Sequence, residues 1–540
     1  MQGSLVWLLG LGPLALSLVA TLPDRLADRH AAGVARGAIY ASRAAFAVAI
    51  AGVIAHAMLG TLATPTIGAG GLGLALYYDR LTAIVLALVS LVGMVVVRYS
   101  RHYLAGDPRH GRFTKWLLLT LAAVLTLILS GNLVQLVLAW IATSIGLQRL
   151  LVFYRDRPAA VLAARKKFVS SRLGDLCLIG AAILAWRLFG SLDLRELLEG
   201  ARALRDAGSP PATAQAIAGL LVVAALLKSA QFPMHGWLLE VMETPTPVSA
   251  LLHAGIVNAG GFLLLRLADL VALSAGSLHA LVVVGGLTAL FGSVVMLTQT
   301  SVKVSLAYST IAQMGFMMLQ CGLGAFSAAL LHLVAHSLYK AHAFLSSGSV
   351  IDLARAASTL NPGGKPHPAR LGLALAILLG AALAAGAISG ATASAQPGVF
   401  TLGAIVLLGL THLVVGAIDE RPNAYVIGRV IALALGVAAL YFALQWAAAA
   451  LLAGVLPPVA ALRSTLDLVL LTTVIASFAA ITLLQSQLPG HAGEPRWQAL
   501  YVHVSHGFYV NTVANRLVVR FWPAPPPRPS SSPHSAHEGA

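Results

Sequence analysis

Lys228 stands inside an apolar run, directly after Ala224-Ala225-Leu226-Leu227 and ahead of Pro233. A proline there removes a backbone donor and frees a carbonyl one turn back, which predicts a broken helix beside the lysine. Desolvation disfavours a charged group, so a lysine held at such a break can both take and give up a proton. Broken helices at the bilayer midplane recur at transporter ion sites. The plainer reading is a lysine whose stem lies along apolar surface while its head reaches an interface.

His332, His336 and Lys340 follow at i, i+4 and i+8. At 3.6 residues per turn these drift by only about 40° and then about 80°, giving one polar stripe about 12 Å long. His342 falls to the other side of that stripe. Two histidines four apart can ligate a metal, but no neighbouring carboxylate or cysteine completes a set, so proton relay and a structural hydrogen-bonding role are the readings kept. His253 comes just after Pro245-Thr246-Pro247-Val248-Ser249, and Lys303 opens a basic turn before Ser305. Arg172 and Asp175, at i and i+3, are expected to pair and so reduce the cost of their insertion. Glu240 and Glu243 flank the predicted break and could balance Lys228. Gly68-Ala69-Gly70-Gly71-Leu72-Gly73 matches GxGxxG, yet no βαβ unit surrounds it, so it reads as a flexible connection with no strand before it.

The elements that must position these residues are membrane helices. Hydrophobic residues make up 58% of the 540 positions and charged residues 10%, which excludes an ordinary soluble domain. Candidate spans fall at 4–22, 44–63, 81–98, 115–130, 132–153, 168–188, 215–234, 246–270, 279–298, 304–322, 326–350, 371–393, 399–418, 424–447 and 464–486, each close to the length a bilayer requires. The expected fold is therefore all-α and polytopic, with about 13–15 transmembrane helices. The first run ends in Pro23-Asp24-Arg25, without a basic leader or a small-residue cleavage site, and reads as a retained helix. Cys177 and Cys321 are too few for a disulfide framework.

The formal charge is +16. Its basic residues fall between apolar runs, so they read as topology determinants rather than a nucleic-acid surface. Arg25 to Arg43, Arg98 to Lys115, and Arg155 to Lys167 mark three basic connections, with Lys166 and Lys167 closing the third. The positive-inside rule then puts the N-terminus outside and the C-terminus in the cytoplasm, beside Arg496, Arg516 and Arg520. Glu494 to Trp522 reads as one amphipathic interfacial helix. The Pro- and Ser-rich tail beyond it reads as disordered. The organisation expected is N-terminal helices over 1–100, a core over 101–355, C-terminal helices over 356–487, an interfacial segment over 488–522 and a tail over 523–540.

The motif residues also carry a resemblance. Lys228-Ser229-Ala230-Gln231-Phe232-Pro233 and Pro245-Thr246-Pro247-Val248-Ser249-Ala250-Leu251-Leu252-His253-Ala254 resemble the signature of the complex I proton-pumping L subunit and the Mrp antiporter subunits. Arg172-Leu173-Gly174-Asp175, Lys303, Ala307-Tyr308-Ser309-Thr310, Gln313-Met314-Gly315, the His332–Lys340 stripe and Ser347-Gly348-Ser349-Val350-Ile351 extend it over roughly residues 75–355. The resemblance implies antiporter-like inverted repeats and a proton-translocating core.

Departures then narrow the subfamily. The glutamate that follows a tryptophan in the fifth span of those subunits is replaced here, where Ile141 follows Trp140. The run 371–393 holds no ionisable residue, and the chain is too short for the long lateral helix of the complex I subunit. With Met242-Glu243-Thr244, Asn258, His342 and Tyr501-Val502-His503, the chain is similar to the membrane subunits of the DAB inorganic carbon transporters. This implies a bacterial inner-membrane location and a large peripheral DabA-type, carbonic anhydrase-like partner. The partner would carry the zinc and the hydration of CO2 to bicarbonate, and this chain would hold no cofactor and perform no catalysis.

On that reading Lys228 is the central proton acceptor, supported by His253, His332 and His336, with Lys303 and Lys340 continuing the path. Asp175, Glu240 or a partner carboxylate would stand in for the missing glutamate. A Mrp-type antiporter or respiratory subunit, and a non-conducting anchor for the partner, remain the alternatives.

Overall fold

Apolar runs of this length leave the backbone no partner but itself in a bilayer, and the chain folds as helices almost throughout. The computed structural model describes residues 6–69, 72–154, 156–348, 376, 380, 396–417, 424–458, 464–491 and 493–522. The main helices are α1 (Leu11–Val19), α2 (Ala31–Leu59), α3 (Arg80–Tyr103), α4 (His110–Leu129), α5 (Leu133–Leu151) and α6 (Pro158–Phe189). After them come α7 (Leu194–Asp206), α8 (Ala212–Lys228), α9 (Thr246–Leu251), α10 (Ala259–Arg266), α11 (Ala275–Met296) and α12 (Val302–Gly322). The series ends with α13 (Phe326–Leu345), α14 (Pro397–Ala417), α15 (Ala424–Leu451), α16 (Thr465–His491), α17 (Pro495–Ser505) and α18 (Val510–Phe521).

Among the described residues, nine stretches are long and apolar enough to cross a membrane, and Leu8–Val19, Ala212–Lys228 and Pro397–Leu410 are shorter apolar helices. The chain is an all-α polytopic membrane protein. The expected span at 371–393 and the tail over 523–540 lie outside the described residues.

Side-chain caps set several helix starts. Asp79 accepts from the Thr82 amide to open α3, Asn132 from Gln135 to open α5, and Asp193 from Arg195 to open α7; each satisfies an orphan N–H of the first turn. Pro158 sits in the first turn of α6, where its missing N–H costs nothing. Because α6 starts there, Lys166 and Lys167 are not in a basic connection as the hydropathy suggested. They lie inside the helix, and both are buried.

Two breaks interrupt the interior. Helix α8 stops at Lys228, its last residue, and Ala230 follows with φ +51°. A left-handed alanine costs about 1–2 kcal/mol, so packing must hold it. The expected break is present, and it leaves the lysine at the negative end of a helix dipole, where a cation is favoured. The expected single span 246–270 is itself divided: α9 runs into a π turn at Leu252–Ile256 before α10 resumes. Such wide turns commonly mark functional positions in helices, and this one holds His253.

Packing of α11 on α12 relies on small residues. A side chain at Gly285 would meet the Leu319 amide nitrogen at 2.5 Å, and one at Gly315 would meet the Ala289 nitrogen at 2.5 Å, so these backbones touch. That contact fixes α12 beside the interior.

Two further expectations need correction. The GxGxxG segment does have a strand before it, Leu62–Ala63, which pairs antiparallel with Tyr77–Tyr78, and its own residues lie in the paired strands Ile67–Ala69 and Leu72–Leu74. These are short ribbons at the head of α3, without a βαβ unit. The single interfacial helix expected over Glu494–Trp522 is two helices, α17 and α18, separated where Phe508 and Tyr509 adopt φ +50° and +60°.

Candidate functional site

Lys228 ends α8 inside the bundle with 6% exposure. Its ammonium donates to the Ser144 hydroxyl of α5 at 2.7 Å and lies 4.5 Å from the centre of the Trp140 ring, one helical turn earlier. A hydroxyl and a π face therefore hold the lysine. Arg172 and Asp175 of α6 pair at 2.7 Å, and Asp175 is the carboxylate whose charge acts on Lys228. A second lysine, Lys167, donates to the Ser144 carbonyl at 2.9 Å.

The second cluster gathers on α12 and α13. Lys340 is completely buried and donates to the Ser309 hydroxyl at 2.8 Å and the Leu306 carbonyl at 3.1 Å. The next residue, Thr310, shares a 2.9 Å hydrogen bond with His253 Nδ1. The His253 ring also stacks on Phe344 at 4.3 Å. His332 and His336 lie side by side on α13, their ring centres 6.1 Å apart. Neither ring nitrogen of His336, nor Nε2 of His253, has a hydrogen-bond partner among the described residues.

Residues adjacent in sequence to the two clusters pack together through two separate hydrogen bonds. The Ser229 hydroxyl, next to Lys228, donates to the Val257 carbonyl at 3.0 Å. The neighbouring Asn258 amide donates to the Ser337 hydroxyl at 2.8 Å, and Ser337 adjoins His336.

The remaining expected residues fall elsewhere. Lys303 is half-buried and donates to the Thr246 hydroxyl at 3.3 Å, at the start of α9. Glu240 does not balance Lys228: it pairs with Lys166 at 2.7 Å. Lys166 supplied the nearer cation once α6 carried it inward. Glu243 lies on the short helical turn Glu240–Glu243, but its side chain lies outside the described residues. Among the described residues no three His, Cys, Asp or Glu side chains gather to hold a metal ion.

Sequence reasoning missed Lys167, Ser144, Ser309 and Thr310 as partners, and Asn511 and Asn515, which hold Lys166. For Lys167 a signal existed. Arg157-Pro158 is a helix-start pattern, and starting α6 there puts Lys167 more than two turns in. The serine and threonine contacts are long-range, and nothing in their spacing announces them.

Residues 130–387 match the family described as NADH:quinone oxidoreductase/Mrp antiporter, TM, and residues 66–114 the complex I chain 5 N-terminus. A probable inorganic carbon transporter subunit, DabB2, of Halothiobacillus neapolitanus is 38% identical over 542 residues, spanning 95% of this chain and 93% of that one. The chain belongs to the DabB family of inorganic carbon transporter subunits. Another probable DabB, from Hydrogenovibrio crunogenus, is 45% identical over 296 residues, 52% of this chain and 57% of its own. In fold, the chain resembles the Mrp complex of Dietzia sp., with a TM-score of 0.61 and 24% identity over 95% of this chain and 60% of that one. The antiporter-type match of this DabB family member covers α5 to α13, the helices that carry both clusters.

Proposed function

We propose that this chain is the proton- or cation-conducting membrane subunit of an energy-coupled inorganic carbon uptake complex. Ion flow through it drives CO2 hydration in a large peripheral DabA-type partner that carries the zinc. The chain itself performs no catalysis. It sits in the bacterial inner membrane with its N-terminus outside and its C-terminus in the cytoplasm.

The observation that carries the reading is Lys228: an interior lysine at a helix break, held by a hydroxyl and an indole face, in a bundle whose interior also holds the buried bases His253, His336 and Lys340. A lysine at the bilayer centre costs about 2.5–3.5 kcal/mol on insertion scales, and a chain that merely anchored a partner would gain nothing from it. Protons would arrive at Lys228 and pass by way of His253, His332 and His336, with Lys340 and Lys303 continuing the path. Arg172 and Asp175 adjust the local charge, and Glu240 contributes indirectly through Lys166. Each base that becomes charged raises the cost of charging its neighbour, so the stations load in alternation. Buried ring nitrogens without a protein partner are sites for ordered water to complete such a path.

The test is growth in air of a carbonic anhydrase-deficient, high-CO2-requiring bacterium expressing this chain with its neighbouring large soluble gene. Wild type restores growth, and Lys228→Ala at equal membrane abundance does not. Equal growth with both would leave an anchor. Growth with neither would return the chain to the Mrp-type or respiratory reading.

A further inference from the structure

The Lys228 environment contains a second cation that the proposed path leaves unused. Lys167, within α6, is 3% exposed, against 6% for Lys228. Lys167 donates to the backbone carbonyl of Ser144 at 2.9 Å, and Lys228 donates to the hydroxyl of the same residue at 2.7 Å. Two ammonium groups from different helices thus converge on one serine of α5. Such a small separation is unfavourable in a weakly polarisable interior when both groups are charged.

Their charged surroundings do not compensate. Asp175 acts on both lysines, and Arg172 adds a positive charge to each. Asp175 is itself paired to Arg172 at 2.7 Å, so that pair brings no net negative charge. Trp140 supplies a π face to Lys228 at 4.5 Å. The local balance therefore favours one ammonium over two.

We propose that Lys167 and Lys228 hold a single proton between them across Ser144, and that Lys167 is the group that exchanges protons with Lys228. This rests on the proton-conducting reading above. In the exchange, an N–H bond of the charged lysine breaks as its proton passes to the serine oxygen. The serine O–H proton passes to the free amine of the other lysine. The serine emerges unchanged and the charge has moved from α8 to α6, or back. The carbonyl contact of Lys167 tethers its amine to the residue that bears the hydroxyl.

The test uses the full chain co-expressed with its neighbouring large subunit and reconstituted into liposomes. An imposed potassium diffusion potential drives flux, and a trapped pH dye reads it. Lys167→Met and Lys167→Arg each slow proton flux roughly tenfold or more, because arginine keeps the charge but cannot release a proton. Ser144→Ala, which retains the carbonyl contact, slows it as well. Wild-type flux in Lys167→Arg overturns the proposal, since a fixed charge would then suffice.

A second measurement needs no transport. Side-chain 15N resonances of labelled lysine, recorded with Lys340→Met present throughout so that the other relay lysine is silent, show a neutral amine near neutral pH. That signal disappears in both Lys167→Met and Lys228→Met, because the remaining lysine then keeps its proton. An amine signal that survives in both variants overturns the shared proton. Should wild type carry no flux above empty liposomes, the conducting reading fails while the amine signal still decides the pair.

Discussion

Glu240 and Lys166 form a 2.7 Å ion pair beneath α18, with side-chain exposures of 14% and 7%. Asn515 and Asn511 donate their amides to Glu240 at 2.9 and 3.3 Å, and their carbonyl oxygens accept from Lys166 at 2.6 and 2.7 Å. One C-terminal helix thus bonds to both members of a buried pair that anchors the N-terminal part of α6. Removing one charge strands the other, so Glu240→Ala and Lys166→Ala should each destabilise the chain by about 3–5 kcal/mol. The double replacement Lys166→Ala with Glu240→Ala should cost less than the sum of the single changes. Thermal unfolding of the purified chain in detergent measures this. Additive losses would show that the two residues are not coupled.

Lys340 offers a test of the second cluster. It is completely buried between the Ser309 hydroxyl and the Leu306 carbonyl. A relay needs a group that releases its proton, which arginine cannot do. Lys340→Arg and Lys340→Met should therefore both reduce inorganic carbon uptake roughly tenfold or more, and Ser309→Ala by less. Accumulation of labelled inorganic carbon supplied as CO2, at matched membrane abundance, reads the effect. Full uptake by Lys340→Arg would mean that a fixed charge is enough at this position.

How far the site was legible depended on the range of the interaction. The Lys228 break followed from Pro233, a local backbone constraint, and the Arg172–Asp175 pair from its helical spacing. The stripe of His332, His336 and Lys340 followed from periodicity on one helix. Hydropathy, by contrast, marks where a run turns apolar rather than where a helix starts. It therefore left Lys166 and Lys167 outside α6, and with them the true partner of Glu240. The π turn at Leu252–Ile256 left no local mark, since its residues would suit an ordinary helix. Contacts such as Lys228 with Ser144 join residues 84 positions apart, and only tertiary packing selects them.

Asp79, at the start of α3, and Arg266, at the end of α10, hold those two helices together. Their side chains are each 2% exposed and meet at 2.8 Å, and Thr82 joins them by bonding to both. Burial alone would raise the Asp79 carboxyl, but the Arg266 charge and the hydrogen bonds from Arg266 and Thr82 hold it below the usual carboxylate value. The folded value is thus lower than the unfolded one. Its stabilising contribution is complete above the unfolded value of about 3.9 and is lost as pH falls through the lower folded value. Asp79→Asn should therefore lower the unfolding midpoint at neutral pH, by about 3–5 kcal/mol of stability, and by progressively less in acid. A midpoint difference independent of pH would separate the loss from the charge on Asp79.

Trp140 should matter to transport through its ring rather than its volume. Its indole face lies 4.5 Å from the Lys228 ammonium, and the residue is 1% exposed. A cation over a desolvated aromatic face is worth about 0.5–2 kcal/mol. Phenylalanine keeps a weaker face, whereas leucine keeps only apolar bulk. Proton flux in reconstituted liposomes should fall in the order wild type, Trp140→Phe, Trp140→Leu, with the last several-fold below the first. Core truncation alone predicts a different pattern, in which both variants lose stability according to the cavity they leave. Unfolding midpoints measured alongside the flux distinguish the two. Equal flux from Phe and Leu would assign Trp140 to packing and leave Ser144 as the ligand that holds the charged lysine.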